Sequence, residues 1–128
     1  MEASTLPSES GTLLVVDDEP LMTELFQQYM TRRGFRVVTA ATGQEALDTV
    51  AAEADGLRLV LLDISLPDMS GLEVARRLAE RAPSLPVMIA SGHDLDSSVP
   101  LPPNIACAIQ KPYQNRMLAE RIREILRG

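Results

Sequence analysis

Three features of the 128-residue sequence predict an α/β fold, a parallel five-stranded sheet with helices on both faces. Short apolar runs alternate with stretches of helical periodicity, the order of a βα repeat. Leu59–Leu62 is apolar without a break, the pattern of a strand buried on both faces of a parallel sheet. Finally, the apolar runs stop at groups unsuited to packing: Asp17-Asp18, Asp63, Ser91 and Lys111. With right-handed crossovers all five strands point the same way, so these groups collect at the carboxyl edge, where open α/β sheets bind ligands.

Each element has its own signal. Residues 1–11 contain Ser, Glu and Pro without periodicity and read as a flexible tail or linker, leaving 12–128 as the folded domain. Thr12–Val16 is the first strand, β1, ending in Asp17-Asp18-Glu19. Pro20 suits the first position of a helix running to about Arg33. Leu21, Leu25, Phe26, Tyr29 and Met30 give that helix its expected inner stripe, and Gly34 ends it. Phe35–Thr39 is β2. Thr42-Gly43 opens a second helix with Ala46, Leu47 and Val50 inward. Asp55-Gly56 turns into β3, Leu57–Leu62. Pro67 and Ser70-Gly71 then break the chain before a third helix, Leu72–Arg81, with Leu72, Ala75 and Leu78 inward. Val87–Ala90 is β4, followed by Ser91-Gly92. In Asp94–Asn104, Pro100, Pro102 and Pro103 leave no room for a regular helix of several turns. Ile105–Ile109 is β5, Gln110-Lys111-Pro112 follows, and Tyr113–Arg127 is the last helix with Leu118, Ile122 and Ile125 on one face.

Bulk properties narrow the function. The length suits one domain, and a hydrophobic fraction of 45% supports one core. A net charge of −6 argues against direct nucleic-acid binding. No apolar run approaches the ~18 residues of a membrane span, and the N-terminus lacks a signal-peptide pattern. A single cysteine, Cys107, excludes an internal disulfide and a cysteine metal cluster. The simplest reading is a soluble cytoplasmic domain that does not bind membranes.

The converging groups suggest a chemistry. Three carboxylates held together repel unless a cation joins them. Hard oxygen ligands suit Mg²⁺. A lysine ammonium balances charge and can hold a phosphoryl oxygen, and a serine hydroxyl adds a donor. These are the parts for phosphoryl transfer to a carboxylate. Taken singly, Asp17-Asp18 reads as a helix cap, Asp63 and Ser91 as turn residues and Lys111 as a solvated lysine. It is the joint arrangement that carries the inference.

In these motifs the chain resembles the receiver domains of two-component response regulators. The segments are Val15-Val16-Asp17-Asp18-Glu19-Pro20, Leu62 to Gly71 (Leu-Asp-Ile-Ser-Leu-Pro-Asp-Met-Ser-Gly), Ala90-Ser91-Gly92 and Lys111-Pro112-Tyr113. The resemblance spans Leu13 to about Leu126. It implies a flavodoxin-like (βα)5 three-layer sandwich with strand order 2-1-3-4-5, the fourth helix here short or missing. It implies that Asp63 accepts a phosphoryl group from a histidine kinase or histidine phosphotransfer protein. Asp18 would bind Mg²⁺ directly, Asp17 through water, Asp63 itself and Ser65 through its backbone carbonyl. Ser91 and Lys111 would hold the phosphoryl group, and Lys111-Pro112 would be a cis peptide. The domain would be a signalling switch, a monomer or weak dimer, with at most self-phosphotransfer and autodephosphorylation. It would stand alone or form part of a larger regulator or hybrid kinase.

Some residues depart from that pattern. Ala108 stands three residues before Lys111, where receivers usually carry an aromatic, and Leu66 replaces the commoner methionine. Cys107 is expected in the core of β5 and His93 on an exposed loop. The arginines of the last helix are expected on a solvated face with Glu120 and Glu124. Two alternatives remain: a Mg²⁺-dependent aspartyl-phosphate phosphatase of the haloacid dehalogenase type, and an unphosphorylated pseudo-receiver that acts as an interaction module. The first wants an Asp-x-Asp nucleophile motif after the first strand, which Asp17-Asp18-Glu19 does not supply. The complete acid set argues against the second.

Overall fold

The computed structural model describes residues 11–53, 55–92 and 100–127. In chain order the elements are β1 (Gly11–Val16), α1 (Pro20–Thr31), β2 (Phe35–Ala40), α2 (Gly43–Glu53), β3 (Leu57–Asp63), α3 (Gly71–Arg81), β4 (Val87–Ser91), β5 (Ile105–Gln110) and α4 (Asn115–Arg127). The five strands form one sheet of order β2-β1-β3-β4-β5, and every pair is parallel. This is the flavodoxin-like arrangement.

Alternate side chains of β1, β3 and β4 enter opposite cores. On one face Leu14, Val16, Leu62 and Ile89 pack with Leu47 and Val50 of α2 and Val74 and Leu78 of α3. On the other, Leu13, Val15, Leu61 and Met88 pack with Phe26 and Met30 of α1 and Leu118 and Ile122 of α4. Because β1 and β3 are buried on both faces, Leu13–Val16 and Leu59–Leu62 within them are unbroken apolar runs. β5 is an edge strand in which half-buried and exposed residues alternate.

The structure corrects several expectations. Gly11 belongs to β1 rather than to the preceding segment, whose residues 1–10 lie outside the described ones. Leu21 and Leu25 do not face inward; they are 65% and 47% exposed. α1 buries Phe26 and Met30 as expected, and Thr23 in place of the two leucines. Thr23 can occupy that face because its hydroxyl donates to the Pro20 carbonyl at 3.0 Å, so no polar group is stranded. In α3, Val74 is buried and Leu72 only half-buried. Cys107 is half-buried, since the edge strand β5 has a neighbour on one side only. α4 starts at Asn115, two residues later than expected.

Among the described residues no helix lies between β4 and β5. Residues 93–99, including His93, are outside the described set. The described part of the connection, 100–104, is a turn closed by Ile105 N donating to the Pro102 carbonyl at 3.2 Å. The buried Asn104 fastens it to α3, its Nδ2 donating to the Ala75 carbonyl at 3.0 Å.

Candidate functional site

Backbone hydrogen bonds carry the parallel ladder past the strand ends. Asp17 N donates to the Ala40 carbonyl at 3.0 Å, Ile64 N to Ala90 at 2.9 Å and Lys111 N to Ser91 at 2.7 Å. The residues just beyond the apolar runs are therefore fixed as firmly as the strands. Ser91 is the buried last residue of β4 at the same edge. The peptide between Lys111 and Pro112 is cis.

This edge brings Asp17, Asp18 and Asp63 together. One carboxylate oxygen from each lies within 4.8 Å of the others. Asp17 and Asp63 are buried, and Asp18 is exposed. Lys111 Nζ donates to Asp17 Oδ2 and to Asp63 Oδ2, each at 3.0 Å, and lies 4.0 Å from Glu19 Oε1. The other oxygens of the two buried acids serve their own loops. Asp17 Oδ1 accepts from Glu19 N at 3.0 Å, and Asp63 Oδ1 from Ser65 N at 3.1 Å.

The electrostatics follow from these contacts. Burial works against the Lys111 charge, but hydrogen bonds to Asp63 and Asp17 more than offset it and hold the ammonium above the usual lysine range. Lys111 cancels one of the cluster's three negative charges. The remaining charge, presented by closely spaced oxygens with the exposed Asp18 at the rim, fits a hard divalent cation such as Mg²⁺.

The β3–α3 loop is built tightly around Asp63. Ser65 and Ser70 form an antiparallel bridge, and Gly71 N donates to the Ile64 carbonyl at 2.8 Å. A Cβ on Gly71 would lie 2.4 Å from the Asp63 carbonyl oxygen, so only glycine lets α3 start here. Ser70 caps α3 by accepting from Leu72 N at 3.1 Å.

All the sequence-predicted site residues among the described ones, Asp17, Asp18, Asp63, Ser65, Ser91 and Lys111, stand at or beside this edge. Sequence reasoning gave no role to two neighbours. The half-buried Tyr113 has its phenol pushed up to about 12 by burial and by the Asp17 charge, so it stays protonated beside the acids. Asp68 binds the start of α2, a contact between residues 25 positions apart that no local pattern reveals. As expected for a solvated face, Arg121 of α4 pairs with Glu124 at 3.5 Å.

Residues 13–123 match the family model described as response regulator receiver domain. Among curated proteins the chain is 35% identical over 118 residues to the probable transcriptional regulatory protein TcrX of Mycobacterium tuberculosis, covering 91% of this chain and 50% of that protein. It is 38% identical over 117 residues to the transcriptional regulatory protein AfsQ1 of Streptomyces coelicolor, covering 90% of this chain and 50% of that one. The chain thus spans about half the length of these relatives. Among solved structures, a CheY-like response regulator receiver domain protein from Methanospirillum hungatei superposes with a TM-score of 0.85 at 30% identity, covering 91% of this chain and 94% of that one. The response regulator protein TrrA of Thermotoga maritima, solved in complex with Mg²⁺-BeF, gives a TM-score of 0.80 at 28% identity and coverages of 90% and 98%.

Proposed function

Since the chain belongs to the response regulator receiver domain family, we propose that it is a phosphorelay switch that takes a phosphoryl group from a phosphohistidine onto Asp63. One observation carries this reading. The buried Asp63 shares Lys111 with Asp17, within a cluster in which one carboxylate oxygen from each of Asp17, Asp18 and Asp63 lies within 4.8 Å of the others. On this reading the edge supplies a nucleophile, a metal-binding pair and a compensating cation.

Asp17, Asp18, Asp63 and the Ser65 carbonyl would hold Mg²⁺, which neutralises charge on the phosphoryl oxygens when bound. A carboxylate oxygen of Asp63 attacks phosphorus, the bond to the donor imidazole nitrogen breaks, and the imidazole leaves with the electron pair. An acyl phosphate results. The Lys111 ammonium pairs with a phosphoryl oxygen, and the Ser91 hydroxyl donates to another. The acyl phosphate then biases a two-state equilibrium.

The donor is a histidine kinase or a histidine phosphotransfer protein. Leu21 and Leu25, one turn apart at the start of α1, are exposed directly after Asp17-Asp18-Glu19. Exposed leucines on the helix that follows the site acids suit a protein donor, which must approach this edge to bring its phosphohistidine to Asp63. No helix among the described residues is long and apolar enough to cross a membrane, and we place the domain in the cytoplasm, where such donors present their histidines. Its relatives are transcriptional regulators about twice its length. In such a protein, DNA contact would belong to a further domain rather than to this acidic one.

The test is incubation with Mg²⁺ and acetyl phosphate followed by intact-mass measurement. Wild type gains one phosphoryl group and Asp63→Asn gains none. Undiminished labelling of the variant would overturn the assignment, and continuous turnover of a small phosphate ester would move the protein to the phosphatase class.

A further inference from the structure

Asp68 lies outside the acid cluster, exposed on the β3–α3 loop, and both its oxygens are committed to α2. Oδ1 accepts from Gly43 N at 2.8 Å and Oδ2 from Gln44 N at 2.9 Å. The first four N–H groups of a helix have no partner within it. In α2 the third and fourth are met locally, Glu45 N by Thr42 Oγ1 and Ala46 N by the Thr42 carbonyl, each at 3.1 Å. The first two are met only from across the fold. Their bonds hold the Asp68 carboxyl below the usual range.

A second contact adjoins the first. A Cβ on Gly43 would stand 2.6 Å from Met69 Cγ and 2.9 Å from its Sδ. The glycine thus opens the space in which Met69 lies against α2. Two successive loop residues are therefore fastened to the start of that helix. The loop's other hydrogen bonds run within the β3–α3 segment, as in the Ser65–Ser70 bridge and Gly71 N to Ile64, or to the sheet, as in Ile64 N to the Ala90 carbonyl. α2 itself packs through Ala46, Leu47 and Val50 into the core that holds Leu14 and Val16 of β1, the strand leading into Asp17 and Asp18.

We propose that Asp68 is a positioning residue for the phosphorylation site, tying the loop of Asp63 and Ser65 through α2 to the strand of Asp17 and Asp18. The inference rests on the roles proposed above for those four residues. Asp68 supplies a connection between the two halves of the cation site that does not pass through the sheet. By linkage, a cation that draws the halves together strengthens the tie, so Mg²⁺ slows exchange of the Gly43 and Gln44 amides.

The experiment compares wild type with Asp68→Asn, Asp68→Glu and Thr42→Ala. Thr42→Ala weakens the same helix end without touching the loop. Three quantities are read: amide exchange at Gly43 and Gln44 with and without Mg²⁺, the melting temperature, and the Mg²⁺ dependence of labelling by acetyl phosphate. Asp68→Asn is expected to speed both amides. It should raise the Mg²⁺ concentration for half-maximal labelling about threefold to tenfold, the size of one ordinary hydrogen bond's net contribution, while the rate at saturating Mg²⁺ returns to that of wild type. Thr42→Ala should lower the melting temperature and leave the Mg²⁺ dependence in place. Asp68→Glu, which keeps the charge and alters the reach, should follow Asp68→Asn. The proposal is overturned if Asp68→Asn leaves the Mg²⁺ dependence unchanged, if Thr42→Ala shifts it equally, or if Asp68→Glu restores it. If wild type itself takes up neither Mg²⁺ nor a phosphoryl group, the reading of the site fails and the inference falls with it; normal wild-type labelling with a silent Asp68 overturns the inference alone.

Discussion

Lys111 Nζ lies 3.0 Å from Asp63 Oδ2 and serves Asp17 Oδ2 at the same distance. One ammonium thus joins the acids at the ends of two adjacent strands, β1 and β3. Removing it would leave two buried carboxylates facing each other.

Lys111→Met is therefore expected to destabilise the metal-free protein by about 1–3 kcal/mol, the cost of leaving a buried acceptor without its hydrogen-bond donor. Mg²⁺ should recover part of this loss, raising the melting temperature of the variant more than that of wild type. Phosphorylation should persist while its amide shift changes shrink, because the phosphoryl group loses the cation that holds it. Thermal melts with and without Mg²⁺, and NMR before and after phosphorylation, check both parts.

The same contacts set the alkaline limit of stability. The folded-state pKa of Lys111 is raised by its partners and that of Tyr113 mainly by burial. A raised folded pKa means that above the unfolded value the folded state binds more protons than the unfolded one, so stability falls with rising pH. Both contributions are fully present below about pH 10, the ordinary range of these groups, and the Tyr113 part is gone once pH passes about 12. Urea unfolding should give a flat profile from these groups near neutrality and a decline above about pH 10. The decline should be shallower in Lys111→Met and in Tyr113→Phe.

Asp18 is the exposed member of the acid cluster. Asp18→Ala should weaken Mg²⁺ binding and slow labelling while the fold is kept, and relief of like-charge repulsion should leave the metal-free protein at least as stable. Calorimetric titration with Mg²⁺ and a thermal melt separate the two effects. An unchanged affinity would remove Asp18 from the ligand set.

Gly71 and Gly92 offer a contrast in space. A methyl on Gly71 meets the Asp63 carbonyl oxygen at 2.4 Å and Ile64 Cα at 2.7 Å, both backbone atoms that cannot swing away, whereas one on Gly92 meets nothing within 4 Å. Gly71→Ala should cost about 1–3 kcal/mol by overpacking and slow labelling by displacing Asp63. Gly92→Ala should leave stability unchanged. Chemical denaturation of the two variants makes the comparison.

The strands and the acid edge were legible because burial on both faces writes itself as an unbroken run. Leu59–Leu62 is such a run, and the position of Asp63 follows from where it stops. α1 was harder. Leu21 and Leu25 form an apolar stripe beside the one that is buried, and the rival stripe includes Thr23, whose polarity is hidden by its bond to the Pro20 carbonyl. Cys107 packs against the core as expected but is only half-buried, because periodicity gives a face but not an edge. Asp68 could not be found at all from local pattern, since its partners are the backbone amides of another helix.

The last prediction concerns where the phosphorylation signal goes. Receiver domains usually carry an aromatic side chain where Ala108 stands, and it moves inward as the hydroxyl at the Ser91 position shifts toward the phosphoryl group. Ala108 has no rotamer to switch. It is exposed, as are Ala106 and Gln110 on the same side of β5, and no helix lies between β4 and β5 among the described residues. The neighbouring turn is stiffened by Pro100, Pro102 and Pro103, and Asn104 pins it to α3. The response should therefore stay near the site, in the loops after β3 and β4, instead of spreading to β5 and α4. If Asp68 ties the loop as proposed, the Gly43 and Gln44 amides at the start of α2 should move with it. Amide shift mapping with a beryllofluoride mimic, alongside light scattering, decides the matter. Large shifts along β5 and α4, accompanied by phosphorylation-dependent dimerisation, would show that a methyl at position 108 leaves the aromatic's usual route open.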